Sequence, residues 1–146
     1  MVFDNNDFID VELDPVDGIS GHRLHEMAQM NPPEDNLGDD IEIWVCGESA
    51  DKDEIIEPHF HVCKDRTGDG YHYAVDIEVK IRDIVKMTIW RSKTGHLTWD
   101  GLSKLYNTVL EWLNKKAFDT DISNKEAIRQ EWNRCNMSNR VKREEL

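Results

Sequence analysis

Residues 71–81 read YHYAVDIEVKI. Tyr71, Tyr73, Val75, Ile77, Val79 and Ile81 alternate with His72, Ala74, Asp76, Glu78 and Lys80, and a period of two puts the first set on one face of a β-strand and the second on the other. The turn-forming DRTGDG at 65–70 precedes this run, and before the turn stands EIIEPHFHVCK at 54–64. If extended, that stretch places Glu57, His59, His61 and Cys63 on one face and Ile56, Pro58, Phe60 and Val62 on the other. Two such runs joined by a short turn predict antiparallel neighbours. Pro58 has no N–H to give to a ladder, which pushes its strand toward an edge or a bulge.

Working outward, IEIWVCG at 41–47 alternates Ile41, Ile43 and Val45 with Glu42, Trp44 and Cys46, and IVKMTIWR at 84–91 supplies a fourth strand candidate ending at the turn SKTG. Residues 41–91 are therefore predicted as a three- or four-stranded, mainly antiparallel sheet. After Thr98 the period changes: Leu102, Leu105, Tyr106, Val109, Leu110 and Leu113 fall on one face of a helix. Ser123, with Glu126 three residues on, reads as the capping box of a second helix, with Ala127, Ile128, Trp132 and Cys135 on its buried side. The two helices together account for residues 99–136.

Residues 20–40 hold a short helix capped by Ser20, with Leu24, Met27 and Ala28 on one face, and then the loop NPPEDNLGDD. Residues 1–19 are acidic, interrupted by Pro15 and Gly18, and predicted to be flexible; residues 137–146 read as a polar tail that frays. The expected architecture is α+β: a sheet packed against two C-terminal helices, with a short helix before it. At 146 residues the chain falls within the size of one domain. The five tryptophans, Trp44, Trp90, Trp99, Trp112 and Trp132, sit at strand and helix periods and read as core, with Trp90 and Trp99 nearest the surface.

Thirty acidic against eighteen basic side chains leave a net charge of −12, which repels phosphate backbones and anionic lipid. Nucleic acid is not the expected partner, and the basic run RVKREE at 140–145 carries its own glutamates. Through Glu57 there are seventeen acidic residues and only Arg23 and Lys52 to offset them, so this third carries −15 and the remainder +3. Such asymmetry has a plain account in a solvated acidic segment, and beside it suits a basic partner protein. The sequence shows no apolar run of membrane-spanning length and no signal-peptide pattern at MVFDNNDFID, giving a cytoplasmic expectation. Cys46, Cys63 and Cys135 are odd in number and lack a C-x-x-C pair, so reduced thiols are expected rather than a disulfide framework.

The chemistry-bearing pattern is H-x-H at 59–61. Two imidazoles at this spacing supply two ligands on one strand face, and Glu57 and Cys63 flank them. His72, Asp76 or Glu78 would approach from the neighbouring strand if the hairpin register brings their face alongside. The candidate set is Glu57, His59, His61, Cys63, His72 and Asp76, for zinc, iron or manganese; no other cofactor is expected. Against it stands the plainer account of two histidines on the polar side of a half-exposed sheet. Cys63 as a nucleophile would need a base or helix N-terminus beside it, which the sequence does not supply.

PHFHV at 58–62, AVDIEV at 74–79, VLEWL at 109–113 and EWN at 131–133, in this order, resemble the small bacterial proteins grouped as domain of unknown function 4160. The resemblance spans roughly residues 41–136, with the acidic first forty residues and the longer turn after Cys63 as departures. It implies an antitoxin-like or phage accessory role, meaning a non-catalytic protein-interaction module. The alternative is a small metal-dependent enzyme using the H-x-H pair.

Overall fold

The structure is a computed structural model that describes residues 8–10, 27–31, 37, 41–46, 56–66, 73–92 and 96–146. Among the described residues seven strands and two α-helices follow one another: β1 (Phe8–Asp10), β2 (Met27–Gln29), β3 (Ile41–Cys46), β4 (His59–Arg66), β5 (Tyr73–Lys80), β6 (Ile89–Ser92), β7 (His96–Thr98), α1 (Trp99–Leu113) and α2 (Asn124–Cys135). β2 to β6 form an antiparallel sheet in sequence order, and β1 pairs with β7 in a separate two-stranded ribbon. The fold is α+β, as the alternation predicted, with five strands in the main sheet rather than three or four.

Register explains the two faces. Val62 stands opposite both Ile43 and Ile77, and Phe60 opposite Val79. These side chains are buried in a core shared with Leu102, Leu105, Val109, Trp112 and Leu113 of α1 and with Ile128 and Trp132 of α2. Fully burying an aliphatic or aromatic side chain of this size contributes roughly 1.5–3 kcal/mol, so this face supplies most of the drive to form the sheet. Thr98 caps α1 by accepting from the Gly101 N–H at 3.0 Å, and Ser123 caps α2 by accepting from that of Glu126.

Several local expectations are corrected. Met27–Gln29, read as the end of a helix, is a strand, because Asn31 folds its amide onto Ile41 O and Ile43 N and ties this segment to β3; the rest of that helix, residues 20–26, lies outside the described residues. Pro58 stands just before β4, which occupies the middle of the sheet, so its missing N–H costs no ladder bond; its carbonyl accepts from Ile81 N. The strand expected from Ile84 begins only at Ile89, since Ile84–Lys86 forms a 3₁₀ turn flanked by Asp83 and Met87 in the left-handed region, both at φ 52°. That turn buries Ile84 and Met87. Phe8–Asp10, within the segment taken as flexible, is β1.

The largest correction is at the C-terminus, where the polar tail is held in place. Val141 is buried, its N–H given to Asn133 Oδ1 and its carbonyl accepting from Asn133 Nδ2 and Arg129. Trp132 Nε1 donates to Asn139 O, and Glu145 O accepts from Asp83 N. The Glu126 carboxylate takes Arg129 at 2.6 Å and Arg143 at 3.2 Å, and so serves as an anchor for the tail. Polar side chains bind backbone here alongside the packing of Val141 and Leu146 on the core, a pattern that a hydrophobic-period reading misses.

Hydrogen bonding from Arg129, reinforced by Arg143, holds the Glu126 carboxyl below its ordinary range against the opposing effect of burial. A carboxyl depressed in the folded state contributes stability above its unfolded pKa, about 4.3, and that contribution is lost as pH falls through the folded value. Glu126→Gln should therefore lower the melting temperature at pH 7, with the gap to wild type closing on acidification below about pH 5. A gap that stays constant with pH would contradict this account of the anchor.

Candidate metal centre

The second face of the sheet is polar and nevertheless buried. His61 stands opposite Trp44 on β3 and Glu78 on β5, Glu78 opposite Arg91 on β6, and Cys63 opposite Glu42 and Asp76. Directly opposed residues share a face, their Cβ atoms about 5 Å apart. His59, His61 and Glu78 are all 0% exposed, and Asp76 is nearly so.

Each histidine is oriented through its Nδ1. His59 Nδ1 lies 2.7 Å from Glu57 O, and a carbonyl only accepts, so Nδ1 carries a proton and Nε2 is the nitrogen left to bind an ion. His61 Nδ1 lies 3.2 Å from Asp76 Oδ1, the carboxylate–histidine arrangement that sets the same tautomer around metal ions. Glu78 approaches from β5, its Oε2 3.9 Å from His59 Nε2. One ligand atom from each of His59, His61 and Glu78 lies within 4.8 Å of the other two. Ligands about 2.1 Å from a tetrahedral ion stand about 3.4 Å apart, so loading would draw the three together by roughly an ångström.

Three aromatic and cationic neighbours close the site. The His59 ring packs on His61 edge-on at 5.1 Å, on Trp90 at 4.8 Å and on Trp132 of α2 at 5.4 Å between centroids. Arg91 donates to both oxygens of Glu78, Nε to Oε2 at 2.7 Å and the second nitrogen to Oε1 at 3.3 Å, and stacks 4.0 Å above Trp90. A carboxylate has about four lone-pair positions, so the guanidinium leaves room for an ion and fixes the plane of Glu78 while offsetting its charge.

Of the six residues the sequence put forward, the structure gathers His59 and His61. Asp76 backs His61 from behind, and Glu57 acts through its backbone carbonyl while its carboxylate lies 3.7 Å from Arg82. Cys63 is fully buried and its thiol donates to Asp76 Oδ1 at 3.7 Å, so it is neither in the ligand group nor placed to attack a substrate. His72 lies outside the described residues. The carboxylate that completes the group is Glu78, named from the sequence only as one of three conditional neighbours. The register that selects it over Asp76 depends on hydrophobic pairing across the hairpin and is not a spacing within one strand.

No family model, curated protein or solved structure matches the chain. No helix among the described residues is long and apolar enough to cross a membrane.

Breaking a buried ion pair by removing one partner typically costs 3–5 kcal/mol, and Arg91 is a quarter exposed, which places its loss at the lower end. Arg91→Ala should reduce unfolding stability in urea by about 3 kcal/mol, and adding Glu78→Gln should return part of that loss. A double-mutant cycle with coupling below about 0.5 kcal/mol would show that the pair does not hold this face together.

Proposed function

We propose that this chain is a non-catalytic interaction module whose sheet is organised around a buried divalent cation held by His59, His61 and Glu78. The observation that carries the cation assignment is the convergence of three potential ligand atoms within 4.8 Å at zero exposure. Two imidazoles and a carboxylate are the donor set of zinc, iron and manganese sites. Catalysis at such an ion requires an open position that substrate reaches, and the complete burial of all three side chains weighs against a metal-dependent enzyme on the same pair. A structural ion fits burial and donor set together.

The partner half of the proposal rests on charge. Seventeen acidic against two basic residues through Glu57 create a negative field that steers a basic surface toward this third of the chain and penalises acidic competitors. The resemblance of PHFHV, AVDIEV, VLEWL and EWN to an uncharacterised family, some of whose members look like parts of paired modules, favours the same reading.

Elemental analysis of untagged protein should find about one equivalent of zinc, iron or manganese, lost in both His59→Ala and His61→Ala. At a thousandfold excess of ion over Kd the added stability is about 4 kcal/mol, on the order of 10 °C in melting temperature for a chain of this size; chelation should remove it. Protein that takes up no ion at micromolar supply and melts identically with chelator would sink the assignment.

Replacing Asp4, Asp7, Asp14 and Asp17 with Asn and Glu12 with Gln tests the partner half while leaving β1 intact. The variant should melt as wild type does but lose a basic partner captured from host lysate, and that capture should weaken as salt rises. Equal capture by both forms would remove the acidic third from the interface.

A further inference from the structure

The C-terminal residues past α2 converge on the end of the sheet where His59 sits, and they do so through three separate links. Asn139 Nδ2 donates to Ile56 O at 2.6 Å, one residue before the Glu57 carbonyl that takes the His59 Nδ1 proton. Asn139 O accepts from Trp132 Nε1 at 2.7 Å, and the Trp132 ring packs against His59. Glu145 Oε2 takes Arg82 Nε at 2.7 Å, and the same guanidinium lies 3.7 Å from the Glu57 carboxylate. Residues 56–58 precede β4 and make no strand ladder, so their course depends on these contacts and on the Ile81 N–H to Pro58 O bond.

We infer that the C-terminal segment is a positioning strap for His59: by holding Ile56, Glu57 and Trp132 together through Asn139, it fixes the His59 tautomer and ring plane that present Nε2 to the cation site. The consequence for ion binding rests on the function proposed above; the orientation of His59 does not. His61 is oriented separately by Asp76, so the strap acts on one ligand of the pair and leaves the other untouched. Groups that orient a ligating histidine from behind change metal affinity by about 10- to 100-fold when removed, and Asn139 stands one bond further out, which places the expected effect near tenfold.

The test compares Asn139→Ala with wild type and with Met137→Ala, a change at an exposed neighbour on the same strap. In ion-free protein, long-range proton–nitrogen spectra should show His59 shifting from the Nδ1-protonated tautomer toward a mixture in Asn139→Ala, with His61 unchanged and Met137→Ala matching wild type. With zinc supplied, the dissociation rate should rise about tenfold in Asn139→Ala. A His59 spectrum identical to wild type in Asn139→Ala would overturn the inference, whatever happens to the melting temperature, because a purely structural strap would lower stability without moving one imidazole. If wild-type protein binds no zinc, the cation proposal falls and the tautomer measurement still decides this one.

Discussion

His61 faces Glu78 because Val62 faces Ile77 and Phe60 faces Val79, and the apolar pairs are the ones with the energy to decide the matter. A slip of one residue between β4 and β5 would send either Phe60 and Val62 or Ile77 and Val79 to the polar side and break a core that also takes up α1 and α2. Each of those side chains contributes on the order of 2 kcal/mol on burial, whereas the polar face gains little from any single contact. The hydrophobic register is therefore the constraint, and the convergence of two imidazoles with a carboxylate is its consequence on the opposite side. The histidine site is assembled by residues whose side chains lie on the other face of the same strands.

That opposite side is expensive to bury. Replacing a buried ion pair by apolar residues of similar volume is often neutral or stabilising, so a sheet selected for stability alone would do as well with aliphatic residues at 59, 61, 78 and 91. The chain instead holds a carboxylate at zero exposure against a guanidinium, with two imidazoles beside it whose ring nitrogens are each turned by a fixed acceptor. A cation held as proposed would supply the missing return, since it would convert two imidazoles and a carboxylate from a desolvation cost into ligands. Arg91, which donates to both oxygens of Glu78, would then keep that carboxylate compensated in the ion-free protein.

The sequence made the apolar half of this legible and the polar half only partly so. Alternation over 73–80 and helical spacing from Leu102 to Leu113 follow from periods of two and 3.6, and both elements stand where those periods put them. β2 was hidden because three residues, Met27–Gln29, are too few to show a period, and what makes them a strand is the Asn31 amide bridging to β3. The histidine pair was visible as H-x-H. Glu78 was not singled out, because choosing it over Asp76 requires knowing that His61 pairs with 78 and Cys63 with 76. The tail was misjudged for a related reason: Asn133, Asn139 and Glu126 hold it through hydrogen bonds to backbone and arginine, and these residue types read as solvated until their partners are known.

An ion at this place would also act back on the register that creates the site. His59 and His61 lie on β4 and Glu78 on β5, so a single cation would tie two neighbouring strands together. Closing a loop of about fifteen residues with a covalent link removes about 3 kcal/mol of freedom from the unfolded chain, and a coordinate link over a similar span draws on the same entropy. More to the point, only the native register offers all three ligands on one face; a one-residue slip of β4 would set Phe60 or Val62 opposite Glu78 and turn both imidazoles to the other side. Such a cation would therefore favour the register that the core already prefers, and apolar and polar faces would select the same pairing by independent means.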